Sequence, residues 1–254
     1  MFAARAGGIL ANNFNQKDFF FENIEIQNSL LKLALKKKIK RTIFLGTSCI
    51  YPKFAKTPIK EESLLTGKLE KTNQCYALAK ISGIKLCESL YEDFNLDVIC
   101  LMPTNVYGEN DKFDKINGHV IPAMIAKFEQ AKEYKRKNVK LLGTGKPLRE
   151  FIHANDLAEA IFFCLKIRKN LLKKIFKSNL PIINVGTGDE ISIRSLSKLI
   201  ANFIGYKGKI IFDKSLPDGT FRKGLDSSKI KNLGWEPKIN FKLGLRKVIN
   251  SRNH

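Results

Sequence analysis

The sequence predicts an α/β protein built on a parallel sheet, with two lobes made from interleaved segments. Three observations lead there. The runs Thr42-Ile43-Phe44-Leu45-Gly46 and Val98-Ile99-Cys100-Leu101-Met102 are short and continuously apolar, as strands covered on both faces are. Each follows a long stretch of helical spacing. Helix and strand therefore alternate, which is the rhythm of crossover connections in a parallel sheet.

Taken in order, residues 18 to 38 carry Phe20, Ile24, Leu30, Leu31, Ala34 and Leu35 at helical spacing, with Asp18 as the expected N-cap. The strand 42 to 46 comes next, then a polar loop holding Pro52, Pro58 and Gly67. Asn73 to Phe94 reads as a second long helix, with Tyr76, Ala79, Lys80, Gly83, Ile84 and Cys87 along one stripe. The strand 98 to 102 is closed by Pro103. Beyond Gly108 a helix is expected near Ile121 to Lys135, then a short strand Val139 to Leu142 and a helix Asn155 to Ile167. A Lys-rich segment leads to the strand Ile182 to Val185, the helix Ile193 to Ile204, a strand Lys209 to Phe212 and a tail containing Trp235.

The chain has 254 residues, 44% hydrophobic and 10% aromatic, enough for a real core and too apolar for disorder over most of its length. No apolar run approaches the ~20 residues that span a bilayer, and no secretory leader pattern opens the sequence. Cys49, Cys75, Cys87, Cys100 and Cys164 are odd in number, with no C-x-x-C pair. Neither a disulfide framework nor a metal site is expected, and a reducing cytoplasm is the expected setting. The net charge is +21. Nine of the 45 basic residues are Arg and 36 are Lys, so the charge reads as solvated surface and not as a nucleic-acid footprint. No nucleic-acid recognition motif and no membrane partner are expected.

The sharpest constellation is Tyr76-x-x-x-Lys80 on the second helix, with Thr47-Ser48-Cys49 at the end of the strand roughly 30 residues earlier. Positions i and i+4 share a helix face, so an ammonium can sit beside a phenol. A phenol titrates near 10, and a neighbouring cation draws that value toward neutrality. A hydroxyl at the strand end can hold the substrate oxygen that Tyr76 protonates. Alone, the Tyr-Lys pair fits a chance helical pair as well. At the carboxyl end of a buried strand, where open α/β sheets bind ligands, it points to a site.

With these residues the chain resembles the extended short-chain dehydrogenase/reductase superfamily, and within it the GDP-L-fucose synthase family. The resemblance rests on Ala6-Gly7-Gly8-Ile9, Asn12-Asn13, Phe44-Leu45-Gly46-Thr47-Ser48-Cys49-Ile50-Tyr51-Pro52-Lys53, Leu64-Leu65-Thr66-Gly67, Thr72-Asn73 and Tyr76-Ala77-x-Ala79-Lys80. Met102-Pro103-Thr104-Asn105-x-Tyr107-Gly108, His119-Val120-Ile121-Pro122-Ala123, Arg149-Glu150-Phe151, Asn184-Val185-Gly186-Thr187-Gly188 and Pro217-Asp218-Gly219-Thr220 extend it almost end to end.

The resemblance implies a Rossmann-like doubly wound parallel sheet with a smaller α/β substrate lobe. Residues 1–110 would belong to the NADP-binding part, with segments near 150–187 returning to it, and 111–254 mainly to the substrate lobe. It implies 3,5-epimerisation of GDP-4-keto-6-deoxy-D-mannose followed by NADPH-dependent reduction at C4. Cys49 would remove the acidic protons at C3 and C5, His119 would return protons from the opposite face, and Tyr76 with Thr47 and Lys80 would serve the C4 oxygen. NADPH would be approached by Leu45, Gly46, Thr47, Ser48, Lys80, Pro103, Thr104, Asn105, Val106 and His119. Lys127, Leu142, Arg149 and Asp218 occupy family positions that hold the GDP-sugar. The helices 18–38 and 73–94 would pair across a homodimer.

There are departures. Thr47 replaces the family's usual serine, and Leu142 stands where the family carries a tryptophan near the nucleotide. The G-x-x-G-x-x-G turn that cradles a pyrophosphate does not occur; Gly143-Thr144-Gly145 and Gly186-Thr187-Gly188 lack its third glycine and fall late. Met1 to Ala4 resembles the end of a family strand. The expectation from sequence is therefore a truncated, split or mis-started chain, with a separately encoded N-terminal fragment as a partner and the strand at 42–46 left as a sheet edge. The alternatives are another NAD(P)-dependent nucleotide-sugar epimerase/reductase, or a non-catalytic remnant acting as an interaction protein.

Overall fold

The computed structural model describes residues 4–176, 179–215 and 218–252. The elements run α1 (Ile9–Phe14), α2 (Gln16–Lys36), β1 (Thr42–Leu45), α3 (Gln74–Phe94), β2 (Val98–Pro103), β3 (Asn105–Tyr107), α4 (Val120–Glu133), β4 (Asn138–Leu142) and β5 (Leu148–His153). They continue with α5 (Ala154–Lys166), α6 (Lys169–Phe176), β6 (Ile182–Val185), β7 (Glu190–Ser192), α7 (Ile193–Ile204), β8 (Lys209–Asp213), α8 (Ser228–Asn232) and α9 (Phe241–Asn250). Met1, Phe2, Ala3 and Pro217, which carry parts of the family resemblance, lie outside the described residues.

The central sheet is parallel, in the order β1-β2-β6, with Phe44 opposite Cys100 and Met102 opposite Asn184. Its side chains alternate between two apolar layers, as a strand's period of two requires. Phe44, Val98, Cys100 and Met102 pack with Leu31 of α2 and Ile81, Ile84 and Cys87 of α3. Ile43, Ile99, Leu101, Ile183 and Val185 pack on the other face with α5 and α6. Every residue of β2 is buried, which is why its sequence reads as an unbroken apolar run. Helices on both faces make the sheet doubly wound.

A third apolar cluster joins α4, α7 and α9 over β4 and β5, with Phe128, Leu141, Phe151, Leu196, Ile200 and Leu245 at its centre. Here β3, β5 and β7 form a small sheet, β3 parallel and β7 antiparallel to β5, and β4 pairs in parallel with β8. Residues 218–226 run from this cluster back to the central sheet. The backbone N–H of Leu225 donates to Glu150 Oε2 at 2.8 Å, and Asp226 N–H to the Ile59 carbonyl at 2.8 Å. Asn184 Nδ2 donates to the carbonyls of Ile59 at 2.9 Å and Asp226 at 3.1 Å. We refer to this stretch as the strap.

Two local expectations change. The first long helix starts at Gln16, with Asn15 as its N-cap, so Asp18 lies in the first turn, where its carboxylate faces the positive end of the helix dipole. The Lys-rich segment before β6 contains the helix α6, because Leu172 and Phe176, four apart, bury one stripe while Lys173 and Lys174 stay outside. No helix among the described residues is long and apolar enough to cross a membrane.

Candidate active site

The carboxyl ends of β1 and β2 open into a cleft of about 680 Å³ between the central sheet and the third cluster. From the end of β1 it receives Leu45, Gly46, Thr47, Ser48 and Cys49. The chain turns sharply here because Thr47 caps a short 3₁₀ turn at 48–50, its hydroxyl accepting the Cys49 N–H at 3.2 Å. From the end of β2 come Pro103 and Thr104, and from β3 Asn105 and Val106. Tyr76 and Lys80 enter from the first half of α3, and His119 stands at the N-cap of α4, with Lys127 two turns further along. Leu142, Arg149 and Asp218 line the end nearest the third cluster. All the residues singled out from the sequence thus line one cleft.

Lys80 is buried, 5% exposed, and its ammonium donates to the Leu45 carbonyl at 3.1 Å and lies 5.3 Å from the centre of the Phe44 ring. Burial draws its pKa down to about 8. The expectation for Tyr76 is corrected: its pKa is raised, first by burial and then by Cys49, with the hydrogen bond to Thr47 opposing only in part. Desolvation of the phenol therefore outweighs any pull from the neighbouring cation, and Tyr76 is a proton donor in this state.

Cys49 is the focus of two donors. Asn73 Nδ2 donates to its Sγ at 3.1 Å, and Lys223 Nζ lies 3.6 Å from the same sulfur. Arg149 is held by its NH1 donating to the Leu148 carbonyl at 2.7 Å and its NH2 to the Asp218 carbonyl at 3.5 Å. Burial lowers its pKa, while Cys49, Asp218, Glu70 and Glu190 act to raise it. Asp218 accepts from the Thr144 N–H at 2.6 Å and the Thr144 hydroxyl at 2.7 Å, so it anchors its own loop. Lys127 has its pKa lowered by burial, and His119 Nδ1 lies 3.9 Å from Asp111 Oδ1. Leu142, 37% exposed, offers an apolar lip where a ring could lie.

The sequence singles out neither Lys223 nor Glu70 as a cleft residue, and shows Asn73 and Thr220 only as parts of motifs. Lys223 is 174 residues from Cys49, and nothing in a Lys-rich chain marks one lysine as facing a thiol. For NADPH the test is whether polar groups stand ready at the nicotinamide end. Thr104 Oγ1 is buried in the cleft without a hydrogen-bond partner among the described residues, on the same lining as Lys80, Asn105 and Val106. These fit a ribose and carboxamide. The five cysteines are free, and no cluster among the described residues could hold a metal ion.

A family model described as "NAD dependent epimerase/dehydratase family" matches residues 1–186. A probable GDP-L-fucose synthase of rice is 46% identical over 244 residues, which is 96% of this chain and 72% of that protein. The GDP-L-fucose synthase of Escherichia coli K12 is 44% identical over 243 residues, 96% of this chain and 76% of its own length. Among solved structures, a GDP-mannoheptose C4 reductase from Campylobacter jejuni with NADP bound superposes with a TM-score of 0.86 at 34% identity. That match covers 99% of this chain and 80% of the other.

Proposed function

The chain belongs to the NAD dependent epimerase/dehydratase family, and on that premise we propose that it is a GDP-L-fucose synthase. It epimerises GDP-4-keto-6-deoxy-D-mannose at C3 and C5 and reduces the ketone at C4. The observation that carries this reading is the Cys49 thiol, set between Asn73 and Lys223 in the same cleft as Thr47, Tyr76 and Lys80. A plain reductase of a C4 ketone needs the hydroxyls and the lysine but no thiol base.

The chemistry follows from the groups present. Protons at C3 and C5 are acidic because each sits beside the C4 carbonyl. The Cys49 thiolate takes one, and the enolate oxygen is held by the Tyr76 phenol and the Thr47 hydroxyl. His119, on a different element, returns a proton to carbon from the other face. Once Cys49 has released its proton to water and His119 has taken one up, a second round inverts the remaining centre. NADPH, when bound, supplies the hydride that C4 accepts. Tyr76 then gives its proton to the C4 oxygen, a role suited to a phenol whose burial keeps it protonated. Lys80, anchored on the Leu45 carbonyl, would hold the nicotinamide ribose beside Tyr76. Arg149 and Lys127 contact the diphosphate, Arg149 in the bidentate manner that its planar fork allows. Asp218 keeps the loop beside Arg149 in shape.

In this reading residues 1–110, with the segments near 150–187, face the cofactor, and 111–254 mainly face the sugar nucleotide. A homodimer through α2 and α3 and a cytoplasmic setting complete it; five free cysteines accord with a reducing compartment.

The test uses GDP-4-keto-6-deoxy-D-mannose in D₂O without reductant. Deuterium is expected at both C3 and C5, followed on addition of NADPH by formation of GDP-L-fucose. Consumption of NADPH with no deuterium in the sugar would identify a C4 reductase instead, and would overturn the epimerase part.

A further inference from the structure

We propose that Glu70 is a positioning residue for the Cys49 thiol, acting through the two donors that meet at its sulfur; this rests on the reading of Cys49 as the base. Glu70 is 6% exposed and lines the cleft. Its carboxylate gathers three segments. Lys53 Nζ lies 3.0 Å from Oε2, the Thr72 N–H donates to Oε1 at 3.5 Å, and the Thr220 hydroxyl donates to Oε2 at 3.4 Å.

Two of those segments carry the donors on Cys49. Thr72 belongs to the 3₁₀ turn 71–73, and Asn73, its last residue, donates to the sulfur. Thr220, 4% exposed, lies three residues before Lys223 on the strap. Glu70 is therefore the common anchor of an amide and an ammonium that approach one thiol from two distant parts of the chain. An ionised carboxylate only accepts hydrogen bonds, so all three partners must donate to it, and the direction of each contact is fixed. Burial acts to raise its pKa, but Lys53, Thr72 and Thr220 outweigh that and hold the carboxyl below its ordinary range.

A carboxylate near a thiol has an electrostatic effect of its own, and its sign is opposite. As a bystander, Glu70 disfavours the thiolate by repulsion, so neutralising it should make Cys49 more reactive. As an anchor, it keeps Asn73 and Lys223 in place, so removing its contacts should make Cys49 less reactive, because stabilising donors drift away. A merely structural role moves neither.

The experiment compares the full chain with Glu70→Gln and Thr220→Val. Alkylation of Cys49 by iodoacetamide is followed by mass spectrometry across a pH series, with Cys75, the other partly exposed cysteine, as internal reference. In both variants the Cys49 profile is expected to move to higher pH, with its rate at neutral pH falling about fivefold relative to Cys75. Deuterium incorporation at C3 and C5 should fall by the same factor, with KM for the GDP-sugar within about twofold of the parent. A profile that is unchanged, or moves to lower pH, overturns the proposal. If Glu70→Gln does not fold, Thr220→Val decides, since it keeps the side-chain shape and leaves the carboxylate in place. If the parent protein incorporates no deuterium while the alkylation profiles shift as expected, the epimerase reading falls and the hold of Glu70 on the thiol stands.

Discussion

Lys80 shows how much one buried ammonium can decide. Its folded pKa of about 8 lies below the ordinary 10.5, so between those values the unfolded chain holds a proton that the folded one has released. Stability then rises with pH from about 8. Cys164 acts oppositely: burial lifts its thiol from 9.0 to about 12, so above 9 the folded state retains a proton that the unfolded state loses, and stability falls. The two slopes nearly cancel between about 9 and 10.5, so urea titrations should show a broad maximum in that interval. Lys80→Met should flatten the rise and leave the fall, and a rise that survives the substitution would refute this account. At this scale the site was partly legible in sequence. Tyr76 and Lys80 lie four apart on one helix and Thr47 ends a strand, so local spacing drew these together, whereas the part expected of Cys49 came from the family resemblance. Glu70, Thr220 and Lys223 meet Cys49 or each other only through tertiary folding, which no local spacing encodes. The direction of the Tyr76 pKa shift differs from the expectation for a related reason, since desolvation depends on everything that surrounds the ring.

Among the elements, α3 carries the most consequential close approach. Gly83 lies mid-helix where an added Cβ would come 2.5 Å from Phe44 Cζ on β1 and 2.6 Å from Gln27 Oε1 on α2. Gln27 is itself buried and donates to the Ala79 carbonyl at 2.8 Å, so neither neighbour has room to yield. Alanine gains up to about 1 kcal/mol in helix propensity over glycine. Overpacking typically costs about 1–3 kcal/mol. The clash involves a buried ring and a buried amide, so the cost should win. Gly83→Ala is expected to lower the urea midpoint with an unchanged m-value, and an equal or higher midpoint would show that α2 can slide away. The elements themselves were legible where burial follows a simple period. The helix Ile193 to Ile204 has the expected bounds, with Ser192 as its cap, and β2 is buried throughout. β5 was missed because Arg149 and Glu150 interrupt its apolar pattern. Glu150 is fully buried as an acceptor for the Gly188 and Leu225 amides, a role that hydrophobic patterning reads as exposure. α9 was hidden in a basic tail, its stripe of Leu245, Val248 and Ile249 set among lysines and arginines.

Across the whole molecule, the +21 charge and the cleft are separate matters. Most lysines lie on exposed positions, whereas Lys80, Lys127, Arg149 and Lys223 converge on one pocket. The strap gives that pocket its mechanical character. It leaves the third cluster, passes Cys49, and is sewn to Glu150 of β5, to Ile59 in the layer beside the central sheet, and to Asn184 of β6 within that sheet. Such a segment has no freedom to swing open by itself, because the amides that would be released are the ones that satisfy buried acceptors. Its dynamics should then follow those of the sheet. In hydrogen exchange, the amides of Ile59, Leu225 and Asp226 are expected to exchange at rates close to those of β2 and β6, and fast exchange at these positions would mark the strap as a flap. A substrate ring reaching Cys49 must therefore thread a rigid aperture, and the enzyme's discrimination among sugars becomes a matter of fit at a fixed opening and not of closure around whatever enters.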